Sequence, residues 1–386
     1  MDTTLSEEQE MLKRTARDFL TKNFPHREVK YIKDSELGYS PELWQEIAKL
    51  GWMGLVFPED YGGANMTFLD LCILLEEMGR VCMPGPYFAT VILAGMCIAD
   101  FGTEKQKKEY LAKIASGQAI LTLALTEPNA RYDAAGVQAT ATADGDDYII
   151  TGTKLFVPDA NVADHMLVVA RTDDKSGAEE GITVFIVDAK SPGIDCTVLR
   201  TIAKDKLCEV AFDRVRVAKN NILGQLNQGW KMVEKTIEGA AVAKCCDMVG
   251  GAQQVLDMTV DYAKQRVQFG QPIGSFQAIQ HHCANMLIDV DTARLITYEA
   301  AWKLSKGLPC CREVAMAKAW ASDVYRRVTI LGHQVQGGVS IIEDHSMPLY
   351  FKAAKAAELA FGDARYHRSK LADMLGSGSL TPIEPL

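Results

Sequence analysis

The sequence lacks the features that identify several functional classes. None of its apolar runs approaches the roughly 18 residues that a helix needs to span a bilayer. No two of the ten cysteines have C-x-x-C spacing, which argues against a tetrahedral metal site. A G-x-G-x-x-G segment that opens a helix, a Walker loop, a zincin motif and a G-x-S-x-G segment are also absent. We therefore expect no membrane insertion, no metal and no Rossmann-type dinucleotide domain.

A basic surface is missing as well. The formal net charge is -9, and the 41 Lys and Arg residues are scattered along the chain. Nucleic acids and anionic membranes both need a clustered basic face, so neither is an expected partner. The first residues, "MDTTLSEEQEMLKR", lack the basic and apolar regions of a signal peptide. With its cysteines interpreted as reduced thiols, the chain is expected to be cytoplasmic.

The periodicity predicts an α+β chain in three segments. Residues 1–118 have helical apolar spacing, and Ser6 with Gln9 forms a capping-box pattern ahead of the first helix. Ser40 before Pro41 predicts a second helix start. Residues 119–225 contain short runs rich in β-branched residues and separated by turn clusters, which indicate an antiparallel β unit. Long helical patterns return in residues 226–386.

Three loop-like clusters remain as candidates for chemistry. They are "TEPNARYD" (126–133), "RVQFGQPIGSFQAIQ" (266–280) and "HQVQGG" (333–338). In the second, an arginine precedes a glycine turn and a helix start, which could bind a pyrophosphate through charge and exposed amides. Each cluster taken alone is equally compatible with an ordinary turn or helix cap.

Taken in order, these clusters resemble the acyl-CoA dehydrogenase family, and the resemblance covers nearly the whole chain. "TEPNARYD" is similar to the first flavin loop of that family, and "DGDDYIITGTKLFVPDA" to the strand pair that ends beside the flavin. "RVQFGQPIGSFQAIQ" and "HQVQGG" are similar to its R-x-x-F-G…Q and Q-x-x-G-G segments. "FDRVRVAKNNILG" resembles the exit from the β domain.

The resemblance implies a fold with an N-terminal helical domain, a middle antiparallel β domain and a C-terminal four-helix bundle. It also implies FAD, an acyl-CoA substrate, electron transfer to an electron-transferring flavoprotein, and a homodimer or a heterotetramer with a related subunit. The residues that it assigns to FAD are Leu123, Leu125, Thr126, Phe156, Arg266, Gln268, Phe269, Ile273, Gln277, Gln334, Gly337 and Gly338.

The family reaction removes an α-proton from the acyl group and therefore needs a positioned base. In most members the base is a glutamate just before a glycine. The matching position in "ELAFGDARYH" is Phe361, followed by Gly362. In other members the base lies on the long helix after the β domain, at the position that Ala240 occupies here, and Ala241 stands where the neighbouring residue is usually Arg. The remaining carboxylates, Asp363, Glu238 and Asp133, are weak candidates.

Other positions around the same centre depart from the family pattern. Arg131 and Tyr132 replace a usual Gly and Ser, and Pro158 replaces a Thr that offers a hydroxyl to the flavin. Proline has no donor at all. The residues that the resemblance assigns to the substrate are Tyr132, Ala240, Ala241, Phe361 and Gly362.

Three hypotheses follow from this pattern. The chain is the base-lacking subunit of a heteromeric acyl-CoA dehydrogenase for a bulky, cyclic or aromatic acyl-CoA, with a related partner that supplies the base. Alternatively, it is a homomeric atypical oxidoreductase or desulfinase-type lyase that uses a different base. The third hypothesis is a non-catalytic protein of the same fold that binds CoA or flavin.

Overall fold

The computed structural model describes residues 4–174 and 177–377, which form two compact units. The helical unit comprises residues 4–30, 67–83 and 241–377. The mixed unit comprises residues 31–66, 84–174 and 177–240. The predicted segment limits at 118 and 225 fall between secondary-structure elements and stay a prediction.

The helical unit begins with the predicted capping box. The Ser6 hydroxyl accepts a hydrogen bond from the Gln9 amide, and the Gln9 side chain accepts one from the Ser6 amide. Its elements are α1 (Glu7–Asn23), α4 (Phe68–Arg80), β9 (Val267–Gln268), β10 (Gln271–Pro272), α8 (Gln277–Ser305), α9 (Cys311–Gln336), α10 (Met347–Leu359) and α11 (Ala364–Gly376). Two further helices, α2 (His26–Asp34) and α7 (Gly229–Gln265), continue across the boundary between the units.

Helix α9 is the centre of the C-terminal helices. It packs against α8, α10 and α11. The α10 and α11 helices are short and are separated by the turn that contains Phe361. Within residues 4–174 and 177–377, no helix is both long and apolar enough to cross a membrane.

Two helix backbones in the helical unit approach each other very closely. A Cβ atom added to Gly79 of α4 would lie 2.0 Å from the carbonyl oxygen of Asp247 on α7. A Cβ atom on Gly250 of α7 would lie 1.8 Å from the carbonyl oxygen of Glu76. No real Cβ atom tolerates such distances, so the spacing of α4 and α7 requires glycine at both positions.

The mixed unit contains an eight-stranded sheet and three α-helices of its own. The strand order is β6-β7-β3-β2-β4-β5-β8, with β1 paired to β4. The strands are β1 (Leu121–Ala124), β2 (Thr140–Asp144), β3 (Asp147–Pro158), β4 (His165–Arg171), β5 (Ile182–Asp188), β6 (Ile194–Leu199), β7 (Leu207–Ala218) and β8 (Ile222–Leu223). The helices are α3 (Pro41–Lys49), α5 (Met96–Phe101) and α6 (Glu104–Ala115), with a π-helical segment at Phe88–Gly95.

The sheet is mostly antiparallel, as the sequence predicts. The exceptions are β1 and β2, which both run parallel to β4. The core on one face of the sheet includes Tyr148, Val168 and Phe185, all buried. The start of α3 is also as predicted, with the Ser40 hydroxyl accepting a hydrogen bond from the Leu43 amide.

We predict that Gly250→Ala destabilises the protein by about 1–3 kcal/mol or more, because the added methyl group overpacks a backbone contact. Gly239→Ala on the same helix is the matched control, since a Cβ atom there meets no atom within 4 Å. That variant should gain roughly 0.5–1 kcal/mol from improved helix propensity. Urea unfolding of both variants measures the difference, and equal stabilities would contradict the close approach of α4 and α7.

Candidate active site

Strand β1 and the loop after it carry three of the predicted flavin residues, and a buried ion pair holds the loop. Lys154 of β3 donates from Nζ to a carboxylate oxygen of Glu127 (2.7 Å) and to the carbonyl of Leu125 (3.2 Å). The Thr126 carbonyl accepts a hydrogen bond from the Leu155 amide at 2.8 Å. Leu123 is buried within β1. The backbone at positions 125–127 is therefore fixed by its neighbours in β3.

The Glu127 carboxylate has a second set of partners. It accepts hydrogen bonds from the backbone amides of Gln138 and Ala139, between 2.9 and 3.2 Å. Both Lys154 and Glu127 are buried. Burial lowers the pKa of Lys154, whereas the Glu127 carboxylate opposes that shift. With its lone pairs occupied, Glu127 has a structural role in this loop.

Phe156 is directed out of β3 by an irregularity in the strand. The pairing of β3 with β7 shifts between Lys154 and Val157. Phe156 has φ 54° there and its side chain is 51% exposed. Such bulges re-aim side chains next to active sites. The strand then ends at Pro158, whose carbonyl accepts a hydrogen bond from the Thr122 hydroxyl at 2.6 Å.

The residues that follow in the same loop are paired with each other. Arg131 donates to both carboxylate oxygens of Asp133, at 2.9 and 2.6 Å. The same carboxylate accepts from the Gly136 amide at 3.1 Å. The hydrogen bond from Arg131 lowers the pKa of Asp133, which makes this carboxylate a weaker base. Tyr132 lies between them with an exposed side chain.

The predicted pyrophosphate segment forms a short hairpin after α7. Strands β9 and β10 pair around Phe269 and Gly270, which have φ 53° and 83°. Two successive positive φ angles define a type I′ turn, in which phenylalanine is unusual. The Phe269 side chain is 93% exposed. Arg266 and Gln268 are exposed, and the Arg266 carbonyl accepts from the Ile273 amide at 2.8 Å.

The two glycines of the segment after α9, Gly337 and Gly338, are exposed to solvent. A Cβ atom at Gly337 or Gly338, or at Gly270 in the hairpin, would meet no atom within 4 Å. Gln334 is exposed, as is Gln277 at the start of α8. In the hairpin, open backbone at Gly270 and the exposed Arg266 belong to one short segment, which suits a ligand that carries phosphate groups. These residues therefore fit the adenosine and pyrophosphate part of FAD.

The turn between α10 and α11 presents Phe361 between two carboxylates that are already engaged. Asp363 is the N-cap of α11, and its carboxylate accepts from the Tyr366 amide at 2.8 Å. The Glu358 carboxylate pairs with Lys355 at 3.0 Å. Neither flank of Phe361 therefore supplies a free base.

Two buried side chains that the sequence analysis missed contact this turn. Lys318 of α9 donates from Nζ to the carbonyls of Glu358 and Gly362 and to the Ser322 hydroxyl, at 3.0, 2.9 and 3.1 Å. Nε2 of His367 donates to the Phe361 carbonyl at 2.9 Å. Burial lowers the pKa of Lys318 to about 8 and that of His367 to about 4.

The alternative base position on α7 carries no carboxylate. Ala240 and Ala241 are 0% and 1% exposed, so both methyl groups are packed inside the protein. Glu238 is half-buried on the same helix. A separation of two residues places its side chain roughly 200° around the helix axis from Ala240.

Comparison with known families identifies the chain. The models for the N-terminal, middle and C-terminal domains of acyl-CoA dehydrogenases match residues 6–118, 122–215 and 227–376. The chain belongs to the acyl-CoA dehydrogenase family. It therefore has the three-domain fold of that family and is an FAD-dependent oxidoreductase of acyl-CoA.

Full-length relatives support this assignment. The chain is 34% identical to the probable acyl-CoA dehydrogenase YngJ of Bacillus subtilis, over 97% of this chain and 100% of that protein. It is 30% identical to the caffeyl-CoA reductase-Etf complex subunit CarC of Acetobacterium woodii, over 96% of this chain and 98% of the relative.

Solved structures show the same fold. Butyryl-CoA dehydrogenase from Megasphaera elsdenii superposes with a TM-score of 0.90 at 32% identity, covering 97% of this chain and 100% of that chain. A chain of the ChsE4-ChsE5 complex from Mycobacterium tuberculosis superposes with a TM-score of 0.89 at 29% identity. That match covers 99% of this chain and 100% of the other.

The sequence contains signals for the missed residues. Lys154 shares the inward face of β3 with Tyr148 and Ile150, and a lysine on such a face requires a partner. Lys318 stands alone in the alanine-rich stretch "VAMAKAWAS" of α9. Both lysines are identifiable as buried cations, but their partners depend on tertiary structure.

We predict that Lys154→Met destabilises the protein by about 3–5 kcal/mol, because the Glu127 carboxylate is left buried without its cation. Lys235→Met is the control, since Lys235 forms an exposed ion pair with Asp100. Such a pair contributes about 0–1 kcal/mol. Chemical unfolding and the FAD content of each purified variant are the measurements. A Lys154→Met variant as stable as the control would contradict the role of the ion pair.

The stability of the helical unit should fall as the pH falls from about 6.5 to about 4. Burial depresses the pKa of His367 in the folded state, so the unfolded state binds more protons in this window. The nearby charges are Lys318 and Lys370, which lower this pKa, and Asp363, which raises it. His367→Gln should remove a loss of up to roughly 1.4 kcal/mol per pH unit.

The control for this pH dependence is His281→Gln, which changes an exposed histidine of α8. Urea unfolding between pH 4 and pH 7 should show the wild-type slope in this control and a shallower slope in His367→Gln. Identical slopes in the two variants would exclude His367 as the titrating group.

Proposed function

We propose that this chain is the subunit of a heteromeric acyl-CoA dehydrogenase that lacks its own general base. It would act with a related, glutamate-bearing chain on a bulky, cyclic or aromatic acyl-CoA thioester. Electrons would pass to an electron-transferring flavoprotein. The alternatives, a homomeric enzyme with another base and a non-catalytic CoA- or flavin-binding protein, are outcomes of the tests below.

The observation that carries this proposal is the chemistry of the turn at residues 360–363. Phe361 stands at the position of the usual glutamate and can neither accept nor donate a proton. Asp363 caps α11, and Glu358 pairs with Lys355. Asp133, the third candidate, is bound by Arg131 in the mixed unit. A base supplied by another chain would explain why this chain keeps the family fold although these three carboxylates are already engaged by other groups.

The exposed hairpin supports an assembly of more than one chain. Phe269 holds a left-handed conformation that is unfavourable for a bulky residue, and its ring is 93% exposed. Strained backbone of this kind is concentrated at functional sites. The similarity to a chain of the ChsE4-ChsE5 complex, whose name specifies two different subunits, supports the heteromeric alternative.

For FAD we propose the residues that the family resemblance assigns. In the mixed unit, Leu123 of β1, the fixed loop with Leu125 and Thr126, and the outward Phe156 would contact the flavin ring. In the helical unit, the pyrophosphate and adenosine would be bound by Arg266, Gln268, Phe269, Ile273, Gln277, Gln334, Gly337 and Gly338. When bound, FAD supplies the hydride acceptor for the acyl chain.

For the acyl-CoA we propose contacts with Tyr132 in the mixed unit and with Phe361 and Gly362 in the helical unit. Ala240 and Ala241, which are buried in the free chain, would line the acyl group with small side chains once the substrate is bound. The similarity to a subunit of a caffeyl-CoA reductase-Etf complex supports an electron-transferring flavoprotein as redox partner. A cytoplasmic location is part of the same proposal.

The assembly is tested by native mass spectrometry and absorbance of the tagged chain purified from its own cells. The expected result is a complex with an equal amount of a second acyl-CoA dehydrogenase-family chain and a flavin spectrum. A flavin-containing homo-oligomer that oxidises acyl-CoA without a partner would establish the alternative with a different base. A chain that purifies without a related partner and does not oxidise acyl-CoA, with or without bound flavin, would favour the non-catalytic alternative.

We predict that Phe361→Glu increases flavin reduction by a simple acyl-CoA in the isolated, FAD-loaded chain by about 10²–10⁴-fold. This is the usual contribution of a general base. Stopped-flow bleaching of the flavin absorbance measures the rate constant.

Phe361→Gln is the matched control, since glutamine has the shape of glutamate without its basicity. It should remain at the wild-type rate. If Phe361→Glu retains FAD and binds acyl-CoA but gains no rate, a missing base is not what limits the isolated chain.

A further inference from the structure

The turn that presents Phe361 has an unfavourable backbone conformation. Phe361 has φ 58° and Gly362 has φ 92°. A positive φ angle is uncommon for a bulky residue and costs of order 1–3 kcal/mol. A Cβ atom at Gly362 would lie 2.3 Å from the Tyr366 ring and 3.0 Å from Nε2 of His367. The turn therefore depends on its surroundings to hold this conformation.

Lys318 contacts the turn on both sides of Phe361. Its ammonium donates to the carbonyl of Glu358, in the last turn of α10, and to the carbonyl of Gly362. The side chain is fully buried, and the remaining donor is used by Ser322 one helical turn further along α9. A cation near the last carbonyls of α10 also interacts favourably with the dipole of that helix.

His367 completes the contacts at the carbonyl of Phe361 itself. A carbonyl only accepts, so the proton of the imidazole lies on Nε2 and Nδ1 is unprotonated in the neutral ring. Among the described residues, no protein group hydrogen-bonds to the buried Nδ1. Protonation would leave a second buried N–H group without an acceptor, which favours the neutral form. The neutral tautomer thus remains a donor to Phe361.

A residue at position 318 that only filled the core would not need an ammonium group. A buried ammonium costs far more than an apolar side chain of similar size unless every donor is satisfied. Here two of the three acceptors of Lys318 are backbone carbonyls, one three residues before Phe361 and one directly after it. The carbonyls of residues 358, 361 and 362 each receive a side-chain donor, which fixes the last turn of α10 and the two peptide planes that follow Phe361.

We propose that Lys318 and His367 are positioning residues that together clamp the turn at residues 360–363 and fix the direction in which the side chain at position 361 is presented to the acyl-CoA. This inference rests on the proposed function, because it takes position 361 to face the substrate. The clamp acts on the backbone, so it serves any side chain at that position.

Hydrogen exchange of the amides at residues 359–363 tests the clamp without requiring activity. Lys318→Met and His367→Leu should each raise exchange there by about 10-fold or more, while α8 stays unchanged, because local opening no longer has to break the side-chain contacts. His367→Gln retains an N–H donor and should restore most of the protection. Unchanged exchange at residues 359–363 in His367→Leu, or no recovery in His367→Gln, would overturn the proposal.

The control for charge removal is Lys355→Met, which eliminates an ion pair to the Glu358 side chain but leaves its carbonyl untouched. Exchange at residues 359–363 in this variant should match the wild type. If Lys318→Met does not fold, the pair His367→Leu and His367→Gln decides the proposal alone, since both retain the buried lysine.

The effect on chemistry is measured in the Phe361→Glu background. Adding His367→Leu should lower the flavin-reduction rate constant at saturating acyl-CoA by about 10–100-fold, because a misplaced base loses its alignment. The dissociation constant for acyl-CoA and the FAD content should not change. A loss confined to substrate affinity or FAD content would contradict positioning. If Phe361→Glu is itself inactive, the proposed base position is wrong, while the exchange experiment still decides whether the clamp exists.

Discussion

The ion pair between Lys154 and Glu127 is the interaction on which the loop after β1, which we propose contacts the flavin, depends. It joins β3 to the loop after β1, and the same carboxylate binds the amides of Gln138 and Ala139 ahead of β2. Each charge is costly to bury alone, so the pair is stabilising only while all of these partners are present. The conformation of the loop at Leu125 is a consequence of that mutual dependence.

A buried lysine also holds the backbone around Phe361 in the helical unit. Lys318 donates there to backbone carbonyls, as Lys154 does to the carbonyl of Leu125 in the mixed unit. Lys318 and His367 both bond to the backbone carbonyls of this turn, although the side chain of Phe361 at its centre can neither accept nor donate a proton. The backbone conformation of the turn at residues 360–363 therefore does not depend on whether the side chain at position 361 is a base. Loss or gain of the base changes one side chain and leaves the backbone hydrogen bonds of the turn as they are.

Local patterns in the sequence were sufficient to predict the helices and strands. The alternation in β3 and the capping residues Ser6 and Ser40 act over a few residues, so the sequence predicts them directly. The partners of Lys154 and Lys318 could not be predicted, because they are brought close by strand register and by helix packing. The absence of a carboxylate at position 361 was readable from the chain, whereas the clamp that holds this position was not.

The close approach of α4 and α7 also constrains how the chain folds during synthesis. Glu76 of α4 is buried with Arg294 and Tyr298 of α8, more than two hundred residues later in the sequence. At about 5–20 residues per second, a ribosome needs roughly 10–40 seconds to complete that interval. During this time Glu76 lacks its partners on α8, and Gly79 lacks the α7 backbone for most of the interval. The side of α4 that packs on α7 and α8 therefore stays without its partners until those helices are made, whereas α1 is synthesised first and can pack on α4 from the start.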